Sequence, residues 1–315
     1  MCIRDRNGPG LPLREKQPLT PESKLCFTGS VSNPPDFKKF AVRCTERFPN
    51  TYFVPQFIDD LRLMYLGIPH PDTADSRVLH PTNLDHPVFV EDKARFFINL
   101  PSMFAFNREM DFNYGTRIHG AIGNILCGVP SLLFPTDARI RELAEYHNIP
   151  AIPASAVTPD TDLAVLYDQT DFRQVNNGHA ERFWHLIDFL NENGIKTIYD
   201  DRTGTPARSL YDEKTAATSY AQPVHSMLVR PPEEIARRVD TAVRLQRKEI
   251  EDDSRLATQL RDSQRKVTQL QERNKKQDAQ IQALKEERKA LKAELKATKK
   301  PLRRLAWYQR TSTFG

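Results

Sequence analysis

Short apolar runs of strand length alternate with helix-period segments through the first two thirds of the chain, which predicts an α/β fold. The expected architecture is a Rossmann-like parallel sheet with helices on both faces, followed by a long helix or coiled coil. Proline, glycine and Asn/Asp signals punctuate the alternating runs at the places where helices start and stop. From Ile235 to Thr298 there is neither glycine nor proline, and charge is dense, as a long solvated or paired helix requires.

Lys24 to Gly29 reads as a short buried strand ending in a turn. Asp36 to Phe48 places Phe37, Phe40, Ala41, Cys44 and Phe48 on one helical face. Thr51 to Val54 is a second strand, and Phe57 to Leu66 a helix stopped by Gly67. Asp72 to Pro87 is loop-like, and His70, His80 and His86 are expected on its surface without metal-ligand spacing. Lys93 to Asn99 reads as a strand and Pro101 to Arg108 as a helix with proline at its favoured first position. Phe112 to Tyr114 is a strand leading into a turn. Ile118 to Cys127 is a helix closed by Gly128, Ser131 to Phe134 a strand, and Thr136 or Asp137 the cap of a helix through His147. Ile149 to Ile152 reads as a further strand. His179 to Asn193 is an amphipathic helix burying Phe183, Leu186, Ile187 and Leu190, with Gly194 at its end.

Composition limits the function classes. The 315 residues accommodate one large or two ordinary domains, without a run of 18 apolar residues or the apolar core of a secretory signal. Four cysteines, Cys2, Cys26, Cys44 and Cys127, lack CxxC spacing and read as reduced thiols of a cytoplasmic protein. From Ala236 onward there are 22 Lys and Arg against 11 Asp and Glu, so the net +5 belongs to the tail and the rest is acidic. No nucleic-acid partner is expected of the domain on that balance.

The chemistry-bearing residues cluster in Gly115-Thr116-Arg117-Ile118-His119-Gly120, where a strand should become a helix. Open backbone N–H groups and the helix dipole favour an anion at such a junction. Arg117 offers a forked donor for phosphate or carboxylate, and His119 offers proton transfer near neutral pH. Thr116 can donate a hydroxyl, and Gly115 and Gly120 leave the backbone open to close approach. Arg139, in the first turn of a later helix, is expected to face the same crevice at the carboxyl ends of the strands. Arg141 reads as a solvated residue, and His147 as a structural one complementing a helix dipole. An anion contact is considered at His179 and Arg182.

These residues resemble the signature of the polysaccharide pyruvyl transferase family. The resemblance continues in order through Gly128-Val129-Pro130, Asp137 to Leu143, Glu145-Tyr146-His147 and Ile149-Pro150, and more weakly from Lys24 to Ile195. It implies transfer of an enolpyruvyl unit from phosphoenolpyruvate to sugar hydroxyls of a surface glycan, leaving a pyruvate ketal. Phosphoenolpyruvate is then the donor substrate, with no cofactor, and a glycan or lipid-linked saccharide is the acceptor. Arg117 matches the family's donor-binding arginine and His119 its general acid/base; Thr116, Gly115, Gly120 and Arg139 are the other candidate substrate-binding residues. Complete members resemble two-domain GT-B enzymes, and this chain matches their C-terminal half. The opposing domain is expected to be missing, so the fragment itself is expected to bind anions weakly and to be inactive.

Two other readings remain open on the residues. A GT-B-type glycosyltransferase using a nucleotide-sugar would need a ribose-reading carboxylate after the turn, for which Glu142 is the candidate. A non-catalytic domain tethered by a coiled coil is the third. The expected organisation is a disordered or artefactual remnant over 1–23, whose first six residues read as an adapter scar. A transferase-like domain over 24–205, a linker over 206–234, a coiled coil over 235–300 and a basic aromatic tail over 301–315 follow. Leu256, Leu260, Val267, Leu270, Ile281, Leu284, Leu291 and Leu295 fall on the a and d positions of a heptad frame, with Asn274 a polar a residue. A homo-oligomer through that seam is expected, and a peripheral contact of the tail with the inner face of a membrane is considered.

Overall fold

In a computed structural model of the protein, residues 9–29, 33–70, 81–199 and 210–311 are described, without the side chains of 210–212 and 298–311. The chain divides into two units, Met1–Val243 and Arg244–Gly315. The first holds a sheet of four strands: β1 (Leu25–Thr28), β2 (Thr51–Phe53), β3 (Phe112–Gly115) and β4 (Ser131–Leu133). Their order is β2-β1-β3-β4 and every pairing is parallel, in an α/β, Rossmann-like arrangement. All residues of β1, β3 and β4 are buried, as strands covered on both faces must be.

The helices follow the punctuation. Helix α1 (Pro35–Arg47) buries Phe37, Phe40, Ala41 and Cys44, the apolar face predicted from spacing. Helix α2 (Ile58–Leu66) ends where Gly67 takes a left-handed φ of 69° and donates its N–H to the Leu63 carbonyl at 2.8 Å. A single turn, α3 (Pro87–Val90), is capped by His86, whose Nδ1 accepts from the Val88 N–H. Helix α4 (Leu100–Asn107) is capped by the Asn99 side chain, which accepts from Ser102 N–H. Helix α5 (Ile118–Ile125) follows β3, and α6 (Ala138–Tyr146) follows β4 behind its cap Asp137.

Two expected strands shrink to isolated bridges. Ala94 pairs with Phe53 before the chain turns to meet Val224 through Phe96, so Lys93 to Asn99 does not continue as a sheet strand. Ala151 bridges Leu133, but Pro150 and Pro153 lack N–H donors, which shortens the Ile149 to Ile152 segment.

The aromatic residues meet between the sheet and α1. Phe27 lies 5.1 Å from Tyr114 and Phe37 lies 5.1 Å from Phe134, ring centroid to centroid, with Phe40 and Phe53 beside them. Such tilted contacts add about 1 kcal/mol each to the area term. Cys26, next to Phe27 on β1, is buried instead with Val54, Met110 and Val129, which pushes its thiol up to about 12.

Helix α7 (Leu163–Gln169) has no counterpart in the periodicity-based reading. It forms because Asp162 caps it, accepting from Ala164 N–H at 2.8 Å, while the same carboxylate pairs with Arg47 at 2.6 Å. The Arg47 contact holds the Asp162 carboxyl below its ordinary value. A lowered folded-state pKa contributes stability above the ordinary carboxylate range, and this is lost as pH falls through the lowered value. Asp162→Ala is expected to destabilise the domain by about 1 kcal/mol at neutral pH. Urea unfolding at pH 7 checks it, and the difference from the parent should shrink as the pH is brought down through the carboxylate range.

Helix α8 (His179–Glu192) buries Phe183 and Ile187, while Leu186 and Leu190 are more open to solvent. Tyr199 closes over Phe183 at 4.9 Å. Residues 9–23, expected to be part of a disordered or artefactual remnant, run along the domain. The Arg14 guanidinium donates to the Met110 carbonyl at 2.6 Å and the Lys16 ammonium to the Asp168 carbonyl at 2.7 Å. The expected linker contains a short helix, α9 (Leu210–Thr215), and the segment that bridges Phe96.

Helix α10 (Pro232–Thr311) is continuous. Its first turns belong to the first unit, where Ala242 packs with Leu66 and Ile68 and the Arg238 guanidinium stacks 4.0 Å from the Tyr65 ring centroid. In the second unit the helix is exposed from Arg244 to Ala297 apart from half-buried Asp252. The side chains of residues 301–311, on which the expected membrane contact falls, lie outside those described, and 312–315 lie outside altogether. No described helix is long and apolar enough to cross a membrane.

Candidate functional site

The strand order fixes where the sheet has its switch point. From β1 the chain moves to β2 on one side, then returns past β1 to β3 on the other. The switch falls between β1 and β3, and in open parallel sheets ligands bind outside the carboxyl ends of the strands at such a point. Thr28 and Gly115 are the paired last residues of these two strands. The Gly115 to Gly120 turn leaves the carboxyl end of β3 at this switch point.

Gly115 has φ +152°, and a Cβ there would lie 2.2 Å from the Thr28 carbonyl oxygen. A Cβ on Gly120 would lie 2.5 Å from the Thr28 methyl carbon. Both glycines are thus required for the close approach of β3 and α5 to the end of β1. This packing role differs from the expected one, in which they cleared space for an anion. Thr116 also differs from expectation. It is buried, its N–H donates to the Thr28 carbonyl at 2.9 Å, and its hydroxyl donates to Asn33 Oδ1 at 2.8 Å. The hydroxyl ties the end of β3 to the segment after β1 and is already engaged.

Arg117 sits at the N-cap position of α5, whose N-terminus has no side-chain cap. Its half-buried guanidinium stacks 4.1 Å from the centroid of the Phe57 ring, at the start of α2. Among the described residues it makes no hydrogen bond or ion pair. Burial lowers its pKa, Asp60 opposes that shift, Arg139 adds to it, and Asp137 opposes it. Arg117 and Arg139 therefore feel one another's charge. Arg139 itself is exposed on the first turn of α6.

His119 is exposed on α5 and is not among the groups that shift Arg117. Arg117 has an extended backbone and precedes the helix that carries His119, so helical spacing does not bring the two together. Glu142 is exposed beyond the first turn of α6. At the other helix start, Arg182 donates to the Asn177 carbonyl at 3.1 Å and stacks toward Tyr146.

Sequence reasoning missed the acidic neighbour. Asp60 is buried, 1% exposed, and His70 Nε2 lies 3.8 Å from its carboxylate. The expectation of His70 on a loop surface is corrected: the chain after Gly67 folds back over α2 and buries it. Asp59 and Asp60 look alike as first-turn acids of a helix, and nothing local separates the buried one from its neighbour. His80 lies outside the described residues. No group of three or more His, Cys, Asp or Glu among the described residues is placed to hold a metal ion.

No protein-family model matches the chain, and no curated protein does. Distantly similar solved structures include two glycosyltransferases. The glycotransferase of kitacinnamycin is 17% identical over 62% of this chain and 44% of its own, with a TM-score of 0.28. The glycosyltransferase SnogD from Streptomyces nogalater is 17% identical over 55% of this chain and 45% of its own, with a TM-score of 0.24. The chain spans less than half the length of either one, and likenesses this distant carry no argument about activity.

Proposed function

We propose that the first unit is the donor-binding half of a transferase, taking the anionic end of phosphoenolpyruvate at the β1/β3 crevice for pyruvyl transfer to sugar hydroxyls. The observation that carries the reading is Arg117: half-buried, held on Phe57, unengaged by any described acceptor, and set at the switch point inside the ordered motif series. A planar guanidinium fixed by stacking loses little freedom when it forks onto phosphate or carboxylate. Arg139 supplies a second positive charge for a donor that carries both groups.

The chemistry follows from the donor. A proton adds to the methylene carbon, C2 becomes electrophilic, a sugar hydroxyl attacks it, and the C2–oxygen bond to phosphate breaks. A second hydroxyl of the same acceptor then attacks C2, giving the ketal, inorganic phosphate and a released proton. His119, exposed in the first turn of α5, is the proposed proton donor. The second reading is a nucleotide-sugar donor, because Arg117 together with Arg139 would suit a diphosphate equally well.

Calorimetric titration of the 315-residue chain with phosphoenolpyruvate, and separately with uridine diphosphate sugars, decides between them. Saturable phosphoenolpyruvate binding displaced by inorganic phosphate is expected. Binding of the nucleotide-sugar alone would favour the second reading, and binding of neither would leave a non-catalytic tethered domain.

A further inference from the structure

We propose that the second unit pairs with the same helix of another copy of this chain, in parallel and in register, as a two-stranded coiled coil. The apolar stripe is the starting point. Leu256, Leu260, Val267, Leu270, Ile281, Leu284, Leu291 and Leu295 are between 48% and 62% exposed, and they recur on the a and d positions of one heptad frame. Large apolar groups on one seam of an otherwise charged helix are buried best by a second seam of the same period.

The residues on the seam select the occupant and its direction. Every apolar d residue is leucine: Leu256, Leu270, Leu284 and Leu291. Two of the four apolar a residues, Val267 and Ile281, are β-branched. This partition favours two parallel strands, because β-branched a and leucine d side chains fit the two kinds of layer in that geometry. Asn274 at a then faces its own copy, the arrangement in which a polar a residue fixes register and strand number.

Charge agrees with this direction. In a parallel pair each g residue faces the e residue of the next heptad on the partner. Arg273 then faces Asp278 and Glu287 faces Lys292, each twice by symmetry, and no described g–e combination sets like charges together. The antiparallel register that matches all apolar layers keeps one attractive combination, Lys266 with Glu287. Its advantage is to separate Arg288 from its own copy, whereas the parallel pair places both Arg288 side chains in one layer, with Glu287 as the adjoining counter-charge. Two attractive combinations against one, together with the leucine d layers, favour the parallel arrangement.

Sedimentation equilibrium on the full chain, with oxidation of a Ser263→Cys variant, tests the pairing. Ser263 is an exposed d residue, so the substitution removes no apolar contact. In the proposed pair the two introduced thiols meet, and a dimer linked through position 263 of both copies should form, identified by peptide mapping. In the antiparallel register they lie 25 residues apart along the helix, roughly 38 Å, and cannot join. A dimer with that link supports the proposal. A monomer at about 100 μM, where a dimer with a Kd of about 1 μM would be largely assembled, a higher oligomer, or an unlinked dimer would each overturn it.

Discussion

Gly115→Ala is expected to destabilise the first unit by on the order of 3 kcal/mol or more, a large share of the roughly 5–15 kcal/mol that holds a domain folded. Two effects combine. A φ of +152° is strained for any residue with a Cβ, and that Cβ would lie 2.2 Å from the Thr28 carbonyl oxygen. The atom it meets is backbone in the paired strand β1, so it cannot rotate away as a flexible side chain would. Relief requires β1 and β3 to part at the register pair Thr28 and Gly115. Gly194→Ala separates the two effects, since Gly194 has φ +73° and nothing within 4 Å of an added Cβ. It should cost about 1 kcal/mol, the backbone part alone. Urea unfolding of the two variants beside the parent checks this. Equal losses at both positions would mean that contact with Thr28 is unimportant.

Much of this arrangement is legible in the chain. The spacing of Phe37, Phe40, Ala41 and Cys44 locates the buried face of α1, and Gly67, Gly128 and Gly194 mark helix ends where left-handed φ values occur. Such features are local, so periodicity and backbone chemistry expose them. Other features depend on what the crossovers bring together. Thr116 looks like a free hydroxyl beside an arginine until the chain after β1 presents Asn33 to it. Asp60 looks like a helix-dipole acid until His70 folds over it, and α7 depends on Asp162 meeting Arg47 across the domain. The glycines of the turn stand out as special positions in the sequence, but the reason is Thr28 behind them, which no spacing of residues reveals. Among the candidate site residues, sequence order puts the turn between β3 and α5, while the structure distinguishes stacked Arg117 from engaged Thr116 and exposed His119.

Arg117→Ala is expected to weaken phosphoenolpyruvate binding by roughly 100-fold while leaving folding almost unchanged. Charge-assisted hydrogen bonds contribute about 1.5–3 kcal/mol each, and a guanidinium that forks onto one oxyanion makes two coupled ones. The structural loss is small by comparison. Arg117 donates no hydrogen bond among the described residues, and Phe57, its stacking partner, is already 37% exposed. Arg117→Lys retains the charge but loses the fork and most of the stacking, so its affinity should fall between parent and alanine variant. Asp60→Asn probes the same group from behind. The Asp60 charge opposes the lowering of the Arg117 pKa, so its removal takes away electrostatic support for the guanidinium without touching the ligand directly. Calorimetric titration with urea unfolding on each variant separates the roles. If Arg117→Ala binds the donor as the parent does, the crevice assignment fails. If its unfolding midpoint falls in step with its affinity, Arg117 is holding the fold instead of the anion.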